Sequence, residues 1–180
     1  MEIKEGQIIL FKYNDSFFMK LITFGNIIRY GTTGWTHAAI VGEVDKLNGI
    51  AWVYEALDKG FTKTEGGYGI DWLKTKQSIG EIEIGETIKP LINVKENCEK
   101  YLGTPYGWVD IFYCSLWVFF GKSSFSFSTG SKELICSEAV ARILYDSSNK
   151  EIDFVKEFGK PYDIINPMDL KISKQINWLK

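Results

Sequence analysis

Strand-like and helix-like patterns are segregated along this chain, and that segregation limits the folds open to it. In the first half, apolar residues come mostly in short runs broken by turn residues. They are QIILFKY (Gln7–Tyr13), the run from Trp35 to Val44, IAWVYEAL (Ile50–Leu57), Gly60–Lys63 and IGEIEI (Ile79–Ile84). Each reads as a strand, and the Asp45–Gly49 turn makes a hairpin of the second and third. One helix intervenes early: Asp15–Tyr30, with Phe17, Phe18, Leu21, Ile22 and Phe24 as its apolar face and Gly31 ending it. Later segments have helical spacing, at Pro90–Leu102, Ile111–Gly121 and Cys136–Tyr145, followed by a weakly patterned tail. Strands first and helices after predict an α+β fold, an antiparallel sheet or barrel packed on C-terminal helices. No repeat, linker or second core is visible, so residues 1–180 are expected to form a single domain.

Bulk properties narrow the function classes. A net charge of −2 and the absence of an arginine-rich stripe argue against a nucleic-acid partner. Three cysteines, Cys98, Cys114 and Cys136, with no CxxC pair, argue against a disulfide framework. With His37 the sole histidine, no set of residues has the spacing of a zinc site, and no metal or cofactor is expected. The start, MEIKEGQ, has no apolar signal core, which predicts a cytoplasmic protein. The apolar stretch Ile111–Gly121 is too short for a bilayer, which takes roughly 20 residues. It reads as a buried helix, with an acyl-pocket wall or a membrane-resting surface as the alternative.

The chemistry-bearing residues are few. Cys136 opens a helix whose apolar face is Ala139, Val140, Ile143 and Leu144, leaving its first turn free. There, unpaired N–H groups and the positive end of the helix dipole favour a thiolate. The same N–H groups, Ser137's among them, can hold an oxyanion. The competing reading of Cys136 is a small buried residue. Cys114, in an apolar helix, and Cys98, in a charged one, read as structural. His37 stands at a strand start after Gly34 and Trp35, where an imidazole can serve a nucleophile or simply be a satisfied core group. Glu55, a lone charge in an apolar strand, is placed beside the His37 strand by the hairpin and is the best third member. Asp58 and Glu43, near turns, are weaker candidates. The competing reading of Glu55 is an outward-facing strand residue.

These pieces, EGQIILF, WTHAAIVG, VYEAL followed by Gly60, GTPYGW and ICSEAVARIL, occur in the order found in permuted NlpC-type papain-like cysteine hydrolases. The chain resembles the YiiX/YaeF group of that family and, more distantly, lecithin:retinol acyltransferase-like proteins, over residues 5 to 145. The resemblance implies a circularly permuted papain-like fold, with Cys136 as nucleophile, His37 as base and then acid, and Glu55 as third member. It also places Tyr106 of the PYG motif near the nucleophile, to assist oxyanion binding or substrate positioning; a core aromatic is the bland alternative. The acyltransferase branch commonly uses a second histidine, which this chain lacks, and that favours the amidase or peptidase branch.

The expected activity is therefore hydrolysis of an amide bond through a thioester, on small peptides such as cell-wall fragments, a substrate class that rests on the resemblance alone. Trp35, Trp52, Tyr54, Tyr106 and Trp108 are available to line the cleft. Two other readings stay open: a lipid esterase or acyltransferase using Ile111–Phe120 for the acyl chain, and a non-catalytic binding module on the same fold.

Overall fold

The structure is a computed structural model that describes residues 3–12, 17–64, 80–108 and 133–179. Five strands come first along the chain: β1 (Ile8–Lys12), β2 (His37–Asp45), β3 (Ile50–Leu57), β4 (Gly60–Lys63) and β5 (Glu81–Thr87), with helix α1 (Phe17–Tyr30) between β1 and β2. Helices α2 (Val94–Glu99), α3 (Cys136–Ser147), α4 (Phe154–Phe158) and α5 (Pro167–Ile172) follow, and a last strand, β6 (Ile176–Trp178), returns to the sheet. Strand order is β4-β3-β2-β1-β5-β6, every pairing is antiparallel, and β4 and β6 are the two edges of this open sheet. The architecture is thus mixed α+β, with a six-stranded sheet and helices toward the C-terminus.

Both faces of the middle strands are covered, which explains why β1 and β2 read as continuous apolar runs rather than strict alternations. On one face Ile8, Leu10, Ala38, Ile40, Tyr54 and Ala56 pack with α3, through Ala139, Val140, Ile143 and Leu144, in the main core. On the other, Ile9, Phe11, Ala39, Val41, Val53 and Ile84 form a smaller cluster. Each fully buried aliphatic side chain contributes about 1.5–3 kcal/mol relative to exposure, so the α3 seam is what fixes the helix on β2 and β3.

The sequence expectations for the strands hold to within a few residues. The expected Pro90–Leu102 helix is shorter, because its end breaks into turns: Leu102 and Thr104 donate to Glu99 and Tyr101 carbonyls three residues back. The tail that looked weakly patterned is largely regular. Asn166 and Asp169 form a reciprocal cap on α5, whose second cue is Pro167 at the first helical position. Asp153 caps α4, and Gly159 ends it in the left-handed region. Ile176–Trp178 then pairs with Gly85–Thr87. A three-residue edge strand is too short to show a period. The expected Ile111–Gly121 helix, its Cys114, and the loop after it lie outside the described residues. Among those described, no helix is long and apolar enough to cross a membrane.

Candidate active site

Strand register brings the histidine and its carboxylate together. His37 is the first residue of β2, and Glu55 lies on β3 opposite Ala39. His37, Ala39 and Val41 share one face by strand alternation, and so do Glu55 and Val53. The diagonal pair meets with His37 Nε2 2.7 Å from Glu55 Oε2, both side chains buried. Phe11, the β1 partner of His37, lays its ring 5.5 Å from the imidazole on that same face. A buried carboxylate would be costly without this partner, and the imidazole holds it in place.

Cys136 approaches from the opposite face. It is the first residue of α3, 5% exposed, and belongs to the main core that the helix makes with β2 and β3. Its thiol lies within the influence of the His37 imidazole and of the backbone N–H groups of Ala38 and Ser137. Burial pushes the thiol up, but the charge and hydrogen bond of His37, with the two backbone N–H groups, bring it below the ordinary cysteine value. Burial pulls the imidazole down, yet the negative sulfur, then Glu55, push it up to about 10. Both shifts point the same way, towards a thiolate–imidazolium pair.

The PYG segment is held by backbone contacts against Leu134, two residues before Cys136. Tyr106 bridges Leu134 in parallel, with Leu134 donating to Pro105 and Gly107 donating back to Leu134. Thr104 accepts from Phe61 of β4, and a Cβ on Gly60, at φ +107°, would stand only 2.5 Å from the Thr104 carbonyl oxygen. Gly60 is therefore the reason this segment can lie against the sheet edge. The Tyr106 ring packs edge-on against Trp108 at 4.8 Å.

The other candidate residues are placed as follows. The Ser137 hydroxyl is fully buried and donates to the Ile165 carbonyl, so only its backbone N–H faces the sulfur. Trp35 is buried in the main core, with the Lys171 ammonium 5.9 Å from its ring. Glu43 lies farther along β2, opposite Trp52, and is engaged by Lys63 and Lys95. Asp58 is exposed in the turn between β3 and β4. Cys98 is buried in the main core, and burial pushes its thiol well above the ordinary value.

Three contributors were missed in the sequence. The Ala38 N–H is a backbone group. Thr64 donates to Glu55 Oε1 at 3.5 Å, from the residue just after β4. Asn26, on α1 and 3% exposed, donates to the carbonyls of Thr33 and Trp35 and so holds the turn that leads into His37. A helix-interior asparagine is the one cue that was available, since that residue type is poorly suited to a helix unless its amide has a partner.

No protein-family model matches the chain, and no curated protein sequence matches it. Among solved structures it is similar to the metalloprotein YiiX from Escherichia coli O157:H7, a DUF1105 protein, with a TM-score of 0.62 and 16% identity. The similarity covers 100% of this chain and 98% of that one, and the described sheet and helices are consistent with a YiiX-like fold.

Proposed function

We propose that this chain is a cysteine hydrolase that cleaves an amide bond through a thioester, on a permuted papain-like scaffold of the NlpC type. The observation that carries the reading is the buried line Cys136–His37–Glu55, with the sulfur at a helix N-terminus and its pKa lowered. Chain order, with histidine first and cysteine last, supports the permuted arrangement.

In the proposed reaction the Cys136 thiolate adds to the substrate carbonyl carbon, and N–H groups of the α3 first turn stabilise the oxyanion. The C–N bond breaks as His37 gives its proton to the leaving amine. His37 then takes a proton from water as the hydroxide adds to the thioester, and the acid departs with the thiolate regenerated. Glu55 holds Nε2 of the ring so that Nδ1 is the nitrogen turned to the sulfur, and its charge stabilises the imidazolium. Among the described residues no group of three or more His, Cys, Asp or Glu side chains is placed to hold a metal ion.

A panel of short peptides, assayed for new amine, tests the reading. Release that disappears in both Cys136→Ala and His37→Ala is the expected result. Fatty-acid release from phospholipid, with no peptide cleaved, would instead make the scissile bond an ester of a lipid. No turnover of either class, with ordinary thiol reactivity at Cys136, would remove the enzyme reading.

A further inference from the structure

Helix α1 is out of keeping with the rest of the molecule. Of its described apolar side chains only Tyr30 packs against the main core, and none joins the smaller cluster. Among the described residues, hydrogen bonds from its C-terminal half join it to the rest of the chain: Asn26 to the Thr33 and Trp35 carbonyls, and the Tyr30 hydroxyl to Asp169 at 2.8 Å. The outward side is apolar. Phe24 is 49% exposed, Ile27 46% and Ile28 49%, and with exposed Lys20 they fall at i, i+4, i+7 and i+8 on one face. Arg29, also exposed, follows at the helix end.

The helix itself carries charge of one sign only. The protein carries 23 acidic residues and a net charge of −2, yet none of those acids lies between Asp15 and Glu43. Lys20 and Arg29 are thus the only formal charges on α1, and they bracket the apolar patch. We propose that α1 is an interfacial helix that docks the protein on an anionic lipid surface, with Phe24, Ile27 and Ile28 entering the acyl boundary and Lys20 and Arg29 at the headgroups. Apolar insertion supplies one part of such binding, and each cation near an anionic surface adds to it.

A second copy of the chain fits this face poorly. An antiparallel two-fold pairing of α1 about its middle sets Lys20 of one copy against Arg29 of the other, and no acid on the helix offsets that repulsion. An anionic bilayer meets both cations favourably.

Sedimentation with vesicles tests the proposal, using phosphatidylcholine alone and phosphatidylcholine with about a third phosphatidylglycerol. The wild-type protein is expected to pellet with the anionic vesicles and to be released by salt. Ile27→Asp combined with Ile28→Asp should lower partitioning roughly tenfold or more, since both side chains leave the acyl boundary. Lys20→Gln with Arg29→Gln should weaken binding to the anionic vesicles only. These positions are on the solvent side, and unchanged circular dichroism and Cys136 alkylation rates will show that fold and site are intact. The proposal is overturned if the wild type ignores anionic vesicles, or if the Asp variants bind as well as it does. It is equally overturned if the wild type is a dimer that Ile28→Asp dissociates. None of these outcomes bears on the Cys136 chemistry, which the peptide assay reads separately.

Discussion

Glu55 reaches His37 diagonally across the β2–β3 pair: its register partner is Ala39, and its Oε2 stands 2.7 Å from His37 Nε2. A diagonal contact of this kind depends on strand register alone, since a slip of one residue would turn Glu55 to the other face. The carboxylate is thereby tied to the hairpin, and the thiol to the helix.

The pH dependence of thiol alkylation follows from the opposed shifts at Cys136 and His37. Lowering of the thiol means the reactive thiolate persists at pH values below the free cysteine pKa of roughly 8.5. The imidazolium that stabilises it is kept until pH rises through about 10. Iodoacetamide should therefore modify Cys136 with an apparent pKa below the free value, and His37→Ala should move that pKa upward, because burial then acts on the thiol unopposed. An unshifted profile in the variant would contradict the pairing.

Glu55→Gln keeps the shape of the Glu55 side chain but removes its charge and one acceptor from His37. Turnover in the peptide assay is expected to fall by about 10²–10⁴-fold, with substrate binding little changed. The imidazole pKa, followed by NMR, should fall at the same time, since Glu55 raises it through both a hydrogen bond and its charge. Loss of turnover without any movement of the imidazole would mean that Glu55 acts only as packing.

Gly60→Ala should destabilise the protein by about 1–3 kcal/mol, from a left-handed φ and a Cβ driven against the Thr104 carbonyl oxygen. Thermal unfolding measures this. Because Thr104 leads into the Tyr106 segment, the variant should also alter the substrate KM, whereas a Gly103→Ala control, with open space around its Cβ, should change stability alone.

Lys160 and Asp169 form a buried ion pair, and Asp169 also accepts from Tyr30 and from the Asn166 backbone. Lys160→Met leaves that carboxylate buried without its cation and is expected to cost about 3–5 kcal/mol. Chemical denaturation should show it as a lower midpoint with little change in slope.

Much of this site was legible in the sequence because it depends on local pattern. His37 at a strand start, Cys136 at a helix start and Glu55 in the partner strand of a hairpin each have a short-range signature. What escaped was set by tertiary contact. The Ser137 hydroxyl turns inward because Ile165, from a distant segment, offers it a carbonyl. Trp35 is buried in the main core, which a tryptophan beside a functional histidine does not announce. The returning strand β6 is defined by its pairing to β5 and not by any period of its own. Ala38 contributes through a backbone N–H, which no residue type encodes.

The order of strands has a consequence for how Cys136 acquires its surroundings. β1, from early in the chain, pairs with β5, and β5 is in turn closed off by β6, which follows α3. The imidazole and its carboxylate emerge from the ribosome long before the thiol, and the sheet is completed only after the thiol has arrived. Such long-range closure slows folding. Cys136 meets the imidazole and the Ala38 N–H only once α3 has docked on β2 and β3, so the shift of its thiol is a product of tertiary assembly and not of the helix alone.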